Sequence, residues 1–435
     1  MSRRRATLIL TVALVDAVVK SEQAWTQAGW YLYPTVGLTE EYRTNIFATP
    51  TNTTSDFITR FTPGLSAGYA SAPFTILASY AFGAEVYADH SDLNDALAQQ
   101  TAGLSVSYLP DRRLTLSGNV TYSITNDASR FLLPAGTAST LPVPSGPPAA
   151  GAPDGAAPPP AAGTPPAAGA PPAGAPTGGA AIAGPAAPSV IPAVGVGRRE
   201  ASTLQVSPAA SYLLDPRTTA QAAYSYTRTT VSGESSDESH GINLSVSRSV
   251  TSLDDGNLAY HGTFFTGDQA TVSSSHAVLV GWTRRFTDAF SAHAEVGPRV
   301  DSDGGTGVDA GVGLAYRLQQ TSFTLNYTRG EGLVVGRAGG STIDALTAGA
   351  VYRPLRELTL GLAAGATWTS GLGQGERRSS DTVYTVGASA SYTVTQWLTA
   401  RLLYQFSRDD QGAGVTIDDH SLSLGLEFSY PVRIY

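Results

Sequence analysis

The chain has 435 residues, of which 42% are hydrophobic and only 14% are charged, and it contains no cysteine. The absence of cysteine excludes disulfide frameworks, thiolate metal sites and cysteine nucleophiles. The net charge of −8 gives no basic footprint of the kind that binds nucleic acid. A content of 46 glycines and 20 tyrosines favours β-structure over a helical enzyme.

The first 28 residues predict a secretory signal peptide. Three arginines, Arg3 to Arg5, precede the apolar stretch Ala6–Val15. A positively charged region followed by a short hydrophobic one is typical of exported proteins, although an ordinary N-terminal helix is an alternative. Export places the rest of the chain, residues 29–435, outside the cytoplasm.

Alternation with a period of two residues runs through most of the remaining chain. In Leu114–Ile124, aliphatic residues, glycine and tyrosine alternate with serine, threonine and asparagine. Because successive side chains of a strand point to opposite faces, each such segment has one apolar and one polar side. Eighteen segments of this kind follow one another along the chain, and no run of eighteen apolar residues predicts a membrane-spanning helix.

The connections between these segments alternate between short and long. Short turns such as Ser71-Ala72-Pro73 and Asp215-Pro216-Arg217 are followed by longer polar loops such as 88–98. If each strand pairs with the next, all turns lie at one end and all loops at the other. This asymmetry favours an all-β fold, a closed antiparallel up-and-down transmembrane β-barrel of about 18 strands in the bacterial outer membrane, over a soluble β-sandwich.

Residues 134–197 break the alternation with a segment rich in proline, alanine and glycine. Such a segment supplies few donors to a β-ladder and has little to bury. It interrupts the third long loop of the predicted barrel. We expect a flexible surface loop there, with a plug inside the lumen as the alternative.

The polar faces of the strands predict a lumen of mixed charge. Four arginines and four carboxylates occur there with one histidine, so that no ring of a single charge is expected. The candidate lumen-lining residues are Arg60, Glu85, His293, Glu295, Arg299, Asp309, Arg317, Arg401 and Glu427. Pairs that neutralise one another inside the wall would give the same pattern.

No catalytic, cofactor or metal site is predicted. Asp418-Asp419-His420 and Asp89-His90 could in principle form acid–base pairs at the rim, but with six histidines in the chain chance proximity explains them better. Six acidic residues in predicted loops could bind Ca²⁺ or bridge lipopolysaccharide through divalent ions, but solvated loops explain them better; they are Asp254, Asp255, Asp409, Asp410, Asp418 and Asp419.

The last strand carries a candidate assembly signal formed by Gly425, Phe428 and Tyr430. This pattern resembles the terminal signal that barrel-assembly machinery recognises, and its physical sense is an edge strand offered for pairing before closure. It departs from the commonest form because five residues, 431–435, follow the second aromatic residue.

Three stretches, Gly29–Phe47, Ser55–Tyr69 and Glu85–Asn94, resemble outer-membrane β-barrel porins of the type 2 porin group. The resemblance implies a porin-like channel for passive passage of small hydrophilic solutes, with no catalytic or ligand residues to carry over. The alternative is a conduit or accessory protein for exopolysaccharide export or envelope assembly. Expected partners are outer-membrane lipid, lipopolysaccharide and the assembly machinery, with polysaccharide-export partners under the alternative; the oligomeric state is left open.

Overall fold

The computed structural model describes residues 29–127, 199–233, 236–267, 270–302, 304–334, 340–371, 381–411 and 414–434. The predicted signal peptide and the insertion 134–197 therefore lie outside the described residues. Among the residues described, helix is confined to one short 3₁₀ turn, Ser91–Leu93. None of the described helices is long and apolar enough to cross a bilayer.

Eighteen long strands form one sheet in which each strand pairs antiparallel with the next, and β1 pairs with β18 to close the barrel. This confirms the predicted fold class. The strands are β1 Gly29–Arg43, β2 Asp56–Ala70, β3 Phe74–Tyr87, β4 Asp95–Tyr108, β5 Leu114–Thr125, β6 Ala201–Asp215, β7 Thr218–Val231, β8 Ser236–Ser249, β9 Asp254–Gly267, β10 Ala270–Arg285, β11 Phe290–Asp301, β12 Thr306–Arg317, β13 Thr321–Leu333, β14 Gly340–Tyr352, β15 Leu358–Gly371, β16 Asp381–Thr395, β17 Leu398–Asp410 and β18 Thr416–Ser429.

A short strand, β19 Val432–Ile434, extends the seam beyond the bend at Pro431. It pairs with the first residues of β1, so that Trp30 lies opposite Ile434. Periodicity alone did not predict this strand. Its effect is to extend the pairing between the two ends of the sheet to Trp30, near the start of β1.

The outward face of the wall is apolar and open to its surroundings. Val280 is 64% exposed and Leu362 is 62% exposed. A hydrophobic belt of this size is unfavourable in water and matches the lipid-facing band of a membrane barrel. Aromatic rings mark its end next to the short turns, and they include Trp30, Tyr108, Tyr212, Trp282, Tyr316, Tyr352, Tyr392 and Phe428.

Ion pairs mark the other end of the belt. Arg228 lies opposite Glu238 on β7 and β8, and Arg408 lies opposite Asp418 on β17 and β18. Closer to the belt, each of these two hairpins carries a tyrosine whose hydroxyl contacts the Nδ1 atom of a histidine on the paired strand. The distances are 2.7 Å for Tyr224 and His240 and 3.0 Å for Tyr404 and His420.

The belt has the height of a bilayer core. Asp418 and Phe428 are ten residues apart on β18, or about 34 Å along the strand, and a tilt near 40° reduces this to about 26 Å. A transmembrane barrel is expected to have an apolar band of ~25 Å. The even strand number, the turns at one end and the longer loops at the other are those of a bacterial outer-membrane barrel, and the protein belongs to that membrane.

Candidate functional site: the inner wall of the barrel

The inner wall positions its polar side chains through the register of neighbouring strands. Arg60 on β2 lies opposite Glu85 on β3, and Arg401 on β17 lies next to the strand that carries Glu427. His293 and Glu295 face inward from β11, where they alternate with lipid-facing Ala292 and Val296. Each of these positions follows from the strict two-residue period of the strand.

The nine residues predicted to line the lumen lie at different heights. Arg60, Glu85, Arg299 and Asp309 lie in the half next to the long loops, and Glu295 lies near the middle of β11. Arg401 and Glu427 form a pair of 2.9 Å in the half next to the short turns. Arg317 is the last residue of β12 and is exposed at the rim on that side.

The first cluster of the inner wall surrounds two arginines. The guanidinium group of Arg60 lies 2.8 Å from Glu41 and 2.9 Å from Glu85, and Glu85 also accepts a hydrogen bond of 3.0 Å from the Tyr87 hydroxyl. Nearer the loops, Arg43 is buried and joins two further carboxylates, Asp127 and Asp419, each at 2.6 Å. The residues of this cluster come from β1, β2, β3 and β18 and from the residues that follow the end of β5.

A second cluster is centred on Arg299 of β11. Its guanidinium group lies 2.8 Å from Asp309, 3.0 Å from Glu331 and 3.2 Å from Asp301. The Nη2 atom donates a hydrogen bond of 3.1 Å to the hydroxyl of Thr342. One buried arginine therefore holds carboxylates from β11, β12 and β13 and a hydroxyl from β14.

The contact between Arg299 and Thr342 shows that the outer end of the β13–β14 hairpin leaves the wall. Three strand spacings separate β11 from β14, which is about 14 Å along the wall and too far for one side chain to bridge. The pairing of β12 with β13 stops at Ala310 and Arg329, whereas β13 and β14 stay paired to Leu333 and Gly340. The hairpin therefore bends into the barrel over the inner faces of β11 and β12.

Burial along the hairpin supports the inward bend. Four consecutive residues, Gly340 to Ile343, are buried, although a strand in the wall would expose every second one to lipid. Ile343 packs with Val334 of the facing strand, and both are almost fully buried. Beneath the hairpin, Leu279 of β10 is only 2% exposed although it faces inward, and β13 also contacts β8.

A cavity of about 30 Å³ remains between the hairpin and the wall. Its lining includes His261, Ser275, Leu279, Asp309 and Glu331. This volume is about that of one water molecule. The hairpin thus packs closely against β9, β10 and β12 and narrows the lumen on that side.

Sequence reasoning missed six charged residues of the two clusters. Glu41, Arg43 and Asp127 lie at strand ends where the alternation fades, and Asp301, Glu331 and Asp419 occur next to loops. The alternation of the strand could have found most of them, because residues two positions apart share a face. Arg43 and Glu41, for example, lie on the same face of β1 as Thr39. Extending each strand by one or two residues would have placed five of them on the inner wall. Glu331 has the outward parity of Arg329 on β13 and reaches Arg299 only because the hairpin bends inward.

The acidic residues and histidines that are adjacent in sequence at the rim do not pair with one another. Asp419 faces inward to Arg43, whereas His420 faces outward to Tyr404. His90 pairs through Nδ1 with Asp56 at 2.8 Å, while Asp89 contributes only its backbone N–H to the same carboxylate.

The loop acids also differ from expectation in position. Asp254 and Asp255 belong to the short-turn end of β9, and Asp409 is buried on the inner face of β17. Within the ranges that the structure describes, no group of three metal-ligating side chains comes together. The residues of the predicted assembly signal lie at the seam: Gly425 opposite Thr39, Phe428 outward, and Tyr430 with its ring 5.5 Å from that of Trp397.

No protein-family model matches the chain, and no curated protein matches it. Solved structures with a similar course of the chain include OccAB4 of Acinetobacter baumannii, with 9% identity and a TM-score of 0.46, covering 94% of this chain and 99% of that one. Another is the outer membrane protein OpdK of Pseudomonas aeruginosa, with 11% identity and a TM-score of 0.44, covering 93% and 99%. The outer membrane channel DcaP of Acinetobacter baumannii has 14% identity and a TM-score of 0.41, covering 94% and 99%. Since these TM-scores are below 0.5, the fold assignment rests on the closed sheet itself.

Proposed function

We propose that the protein is a porin-like channel through which small hydrophilic solutes pass passively across the outer membrane. The observation that carries this proposal is the closed wall of 18 strands with a polar inner face. Eighteen strands spaced by ~4.8 Å and tilted near 40° enclose a backbone cylinder about 36 Å wide. Barrels of 16 to 18 strands are wide enough for an aqueous channel that side chains alone do not fill.

The chemistry of the inner face also supports a hydrated passage. On β5 the inward positions are Thr115, Ser117, Asn119, Thr121 and Ser123, whose hydroxyl and amide groups bind water and present no large apolar surface. Glycines such as Gly103 on β4 and Gly311 on β12 present no side chain to the lumen. A solute that keeps its hydration shell can move along such a wall with little desolvation cost.

The inward-bent β13–β14 hairpin would set the narrowest part of the passage. It occupies the lumen next to β9–β12. The inner faces of β15–β18 and β1–β7 lie on the other side of the lumen. In the proposed function it limits the size of the solutes without closing the barrel.

Conductance of the purified full-length protein in a planar lipid bilayer tests the proposal. Stepwise ohmic currents are expected, and vesicles that contain the protein should swell in small sugars more quickly than in larger ones. The same preparation without protein is the control. A protein that inserts and yet carries no current would contradict the proposal, and current that appears only after removal of residues 134–197 would favour a closed export conduit instead.

A further inference from the structure

A gap in the outward face of the wall lies at the short-turn end of β8, β9 and β10. Gly256 of β9 is opposite Arg248 on β8 and opposite Trp282 on β10, and it has no side chain to fill the space between them. A Cβ atom at this position would lie 3.7 Å from Val250 and 4.0 Å from the indole of Trp282. We call this gap, bordered by Arg248, Val250, Trp282 and Arg284, the Gly256 notch.

The indole of Trp282 is open on both flanks. Its cross-strand neighbours are Gly256 and Ala294, and the residue is 49% exposed. Other aromatic residues at this end of the apolar belt pack against further rings, as Phe290 does with Tyr316 at a centroid distance of 6.5 Å. Because an amphipathic indole is favoured at the boundary between lipid headgroups and hydrocarbon, the notch lies at that boundary.

Two arginines supply positive charge at the edge of the notch. Arg248 is exposed and forms no ion pair within 4 Å among the described residues, although Asp215 at the end of β6 attracts it from a longer distance. The side chain of Arg284 is 51% exposed, and its Nη1 atom lies 3.4 Å from Asp254 Oδ1. The same carboxylate oxygen accepts a hydrogen bond of 3.2 Å from Trp282 Nε1. Asp254 therefore positions the indole and leaves most of the guanidinium donors of both arginines available to a ligand.

An apolar track leads from the notch toward the middle of the bilayer. Leu258 of β9 and Val280 of β10 lie opposite each other two residues further along their strands, and they are 54% and 64% exposed. Val246 of β8 lies on the other side of Leu258 and is 43% exposed. Cationic donors at the membrane boundary with an apolar surface next to them match a phospholipid, whose phosphate is anionic and whose chains are hydrocarbon.

We propose that the Gly256 notch binds the headgroup of an anionic phospholipid of the inner leaflet. The short turns of an outer-membrane barrel face the periplasm, so that the notch opens to that leaflet. Guanidinium groups donate charge-assisted hydrogen bonds to phosphate oxygens, and the apolar stem of an arginine lies along the barrel while its charged head reaches the phosphate. A headgroup without an ammonium group is favoured, because two arginines repel a further positive charge. This site is independent of the proposed channel function.

Native mass spectrometry of the full-length protein released from detergent tests the proposal. The probes are phosphatidylglycerol and phosphatidylethanolamine with identical chains, added in equal amounts. We expect one phosphatidylglycerol molecule to be retained in preference to phosphatidylethanolamine, by roughly five-fold or more, since each basic residue near an anionic headgroup contributes about this factor. This measurement needs no substituted protein and stands even if a variant fails to fold.

Two variants locate the bound lipid. Arg248→Gln removes one cation and should lower the preference by roughly five-fold. Gly256→Val keeps every charge and fills the gap next to Trp282, so that the retained phosphatidylglycerol should be lost as well. Arg408→Gln is the matched control and should leave the preference unchanged, because Arg408 is a lipid-facing arginine at the opposite end of the belt that already holds Asp418 at 2.6 Å.

Three outcomes would overturn the proposal. The first is equal retention of the two lipids by the unmodified protein. The second is a preference that persists in both Arg248→Gln and Gly256→Val, which would place the lipid elsewhere on the barrel. The third is an equal loss in Arg408→Gln, which would mean that the net charge of the barrel and not the notch selects the lipid. Circular dichroism of each variant verifies that the sheet is formed, and none of these results bears on the channel function.

Discussion

Charged side chains of the same type occupy two different environments in this barrel. The side chain of Arg43 is 6% exposed and that of its partner Asp127 is fully buried, whereas Arg408 and Asp418 are 48% and 41% exposed. Loss of one partner from a buried pair leaves an uncompensated charge in a low-dielectric site and costs about 3–5 kcal/mol. Loss of an exposed pair costs less than about 1 kcal/mol, because water solvates the remaining group.

We therefore expect Arg43→Met to lower the free energy of unfolding by about 3 kcal/mol, since Asp127 and Asp419 lose their shared cation. Urea unfolding of the protein folded into lipid vesicles, followed by tryptophan fluorescence, measures the change. Arg408→Met is the matched control and should cost less than about 1 kcal/mol. Equal effects of the two substitutions would mean that the Arg43 cluster is solvated like the rim.

At the scale of an element, the β13–β14 hairpin departs from the cylinder that the other strands form. Its inner position depends on two kinds of contact, the apolar packing of Val334 with Ile343 and the polar contacts of Glu331 and Thr342 with Arg299. The β17–β18 hairpin differs, because β17 stays paired with β16 as far as Asp410 and β18 stays paired with β1 as far as Ser421.

Replacing residues 333–340 by a two-residue Asn-Gly turn should raise the single-channel conductance, by roughly 1.5-fold or more, because the hairpin no longer narrows the lumen. Recordings in symmetric KCl measure the change. Shortening the 411–415 connection of β17–β18 in the same way is the control and should leave the conductance close to that of the unmodified protein. A shortened β13–β14 hairpin with unaltered conductance would show that the narrowest point lies elsewhere.

At the scale of the whole molecule, the strands of the wall separate lipid on one side from the lumen on the other. On β15, Leu362 is 62% exposed on the outward face and its neighbour Ala363 points inward, opposite Gly349 and Gly387. Because the chain contains no cysteine, a single introduced thiol can be labelled without interference.

Nitroxide labels on Leu362→Cys and Ala363→Cys should report opposite surroundings in vesicles. The label at position 362 should collide more often with oxygen, which concentrates in the bilayer, and the label at position 363 with a water-soluble nickel complex. Electron paramagnetic resonance power saturation measures both collision rates. Equal access of the nickel complex to both labels would be incompatible with lipid at the outer face.

The sequence allowed the wall to be predicted but not the arrangement of charges inside it. Alternation is a local property, so that a segment such as Leu114–Ile124 indicates a two-faced strand without knowledge of its neighbours. The pairs in the clusters depend on register instead. Arg43 meets Asp127 and Asp419 only because the barrel closes between β1 and β18 and because the end of β5 lies nearby.

The bend of the β13–β14 hairpin could not be predicted for a different reason. Apolar residues such as Val334 and Ile343 suit lipid and a packed interior equally well, and the period of the strand does not change where it leaves the wall. Arg299 gave no indication either, since its partners come from three other strands. Contacts between elements that are far apart in sequence decide both features.

The matching Tyr–His–Arg arrangements on β7–β8 and β17–β18 have a geometric consequence. The two hairpins are ten strands apart in a ring of 18, which puts them almost diametrically across from each other. In each hairpin the polar groups lie the same number of residues from the apolar belt. The boundary between lipid headgroups and hydrocarbon therefore crosses both sides of the barrel at the same height. Equal heights at these two places exclude a tilt of the barrel axis toward either hairpin.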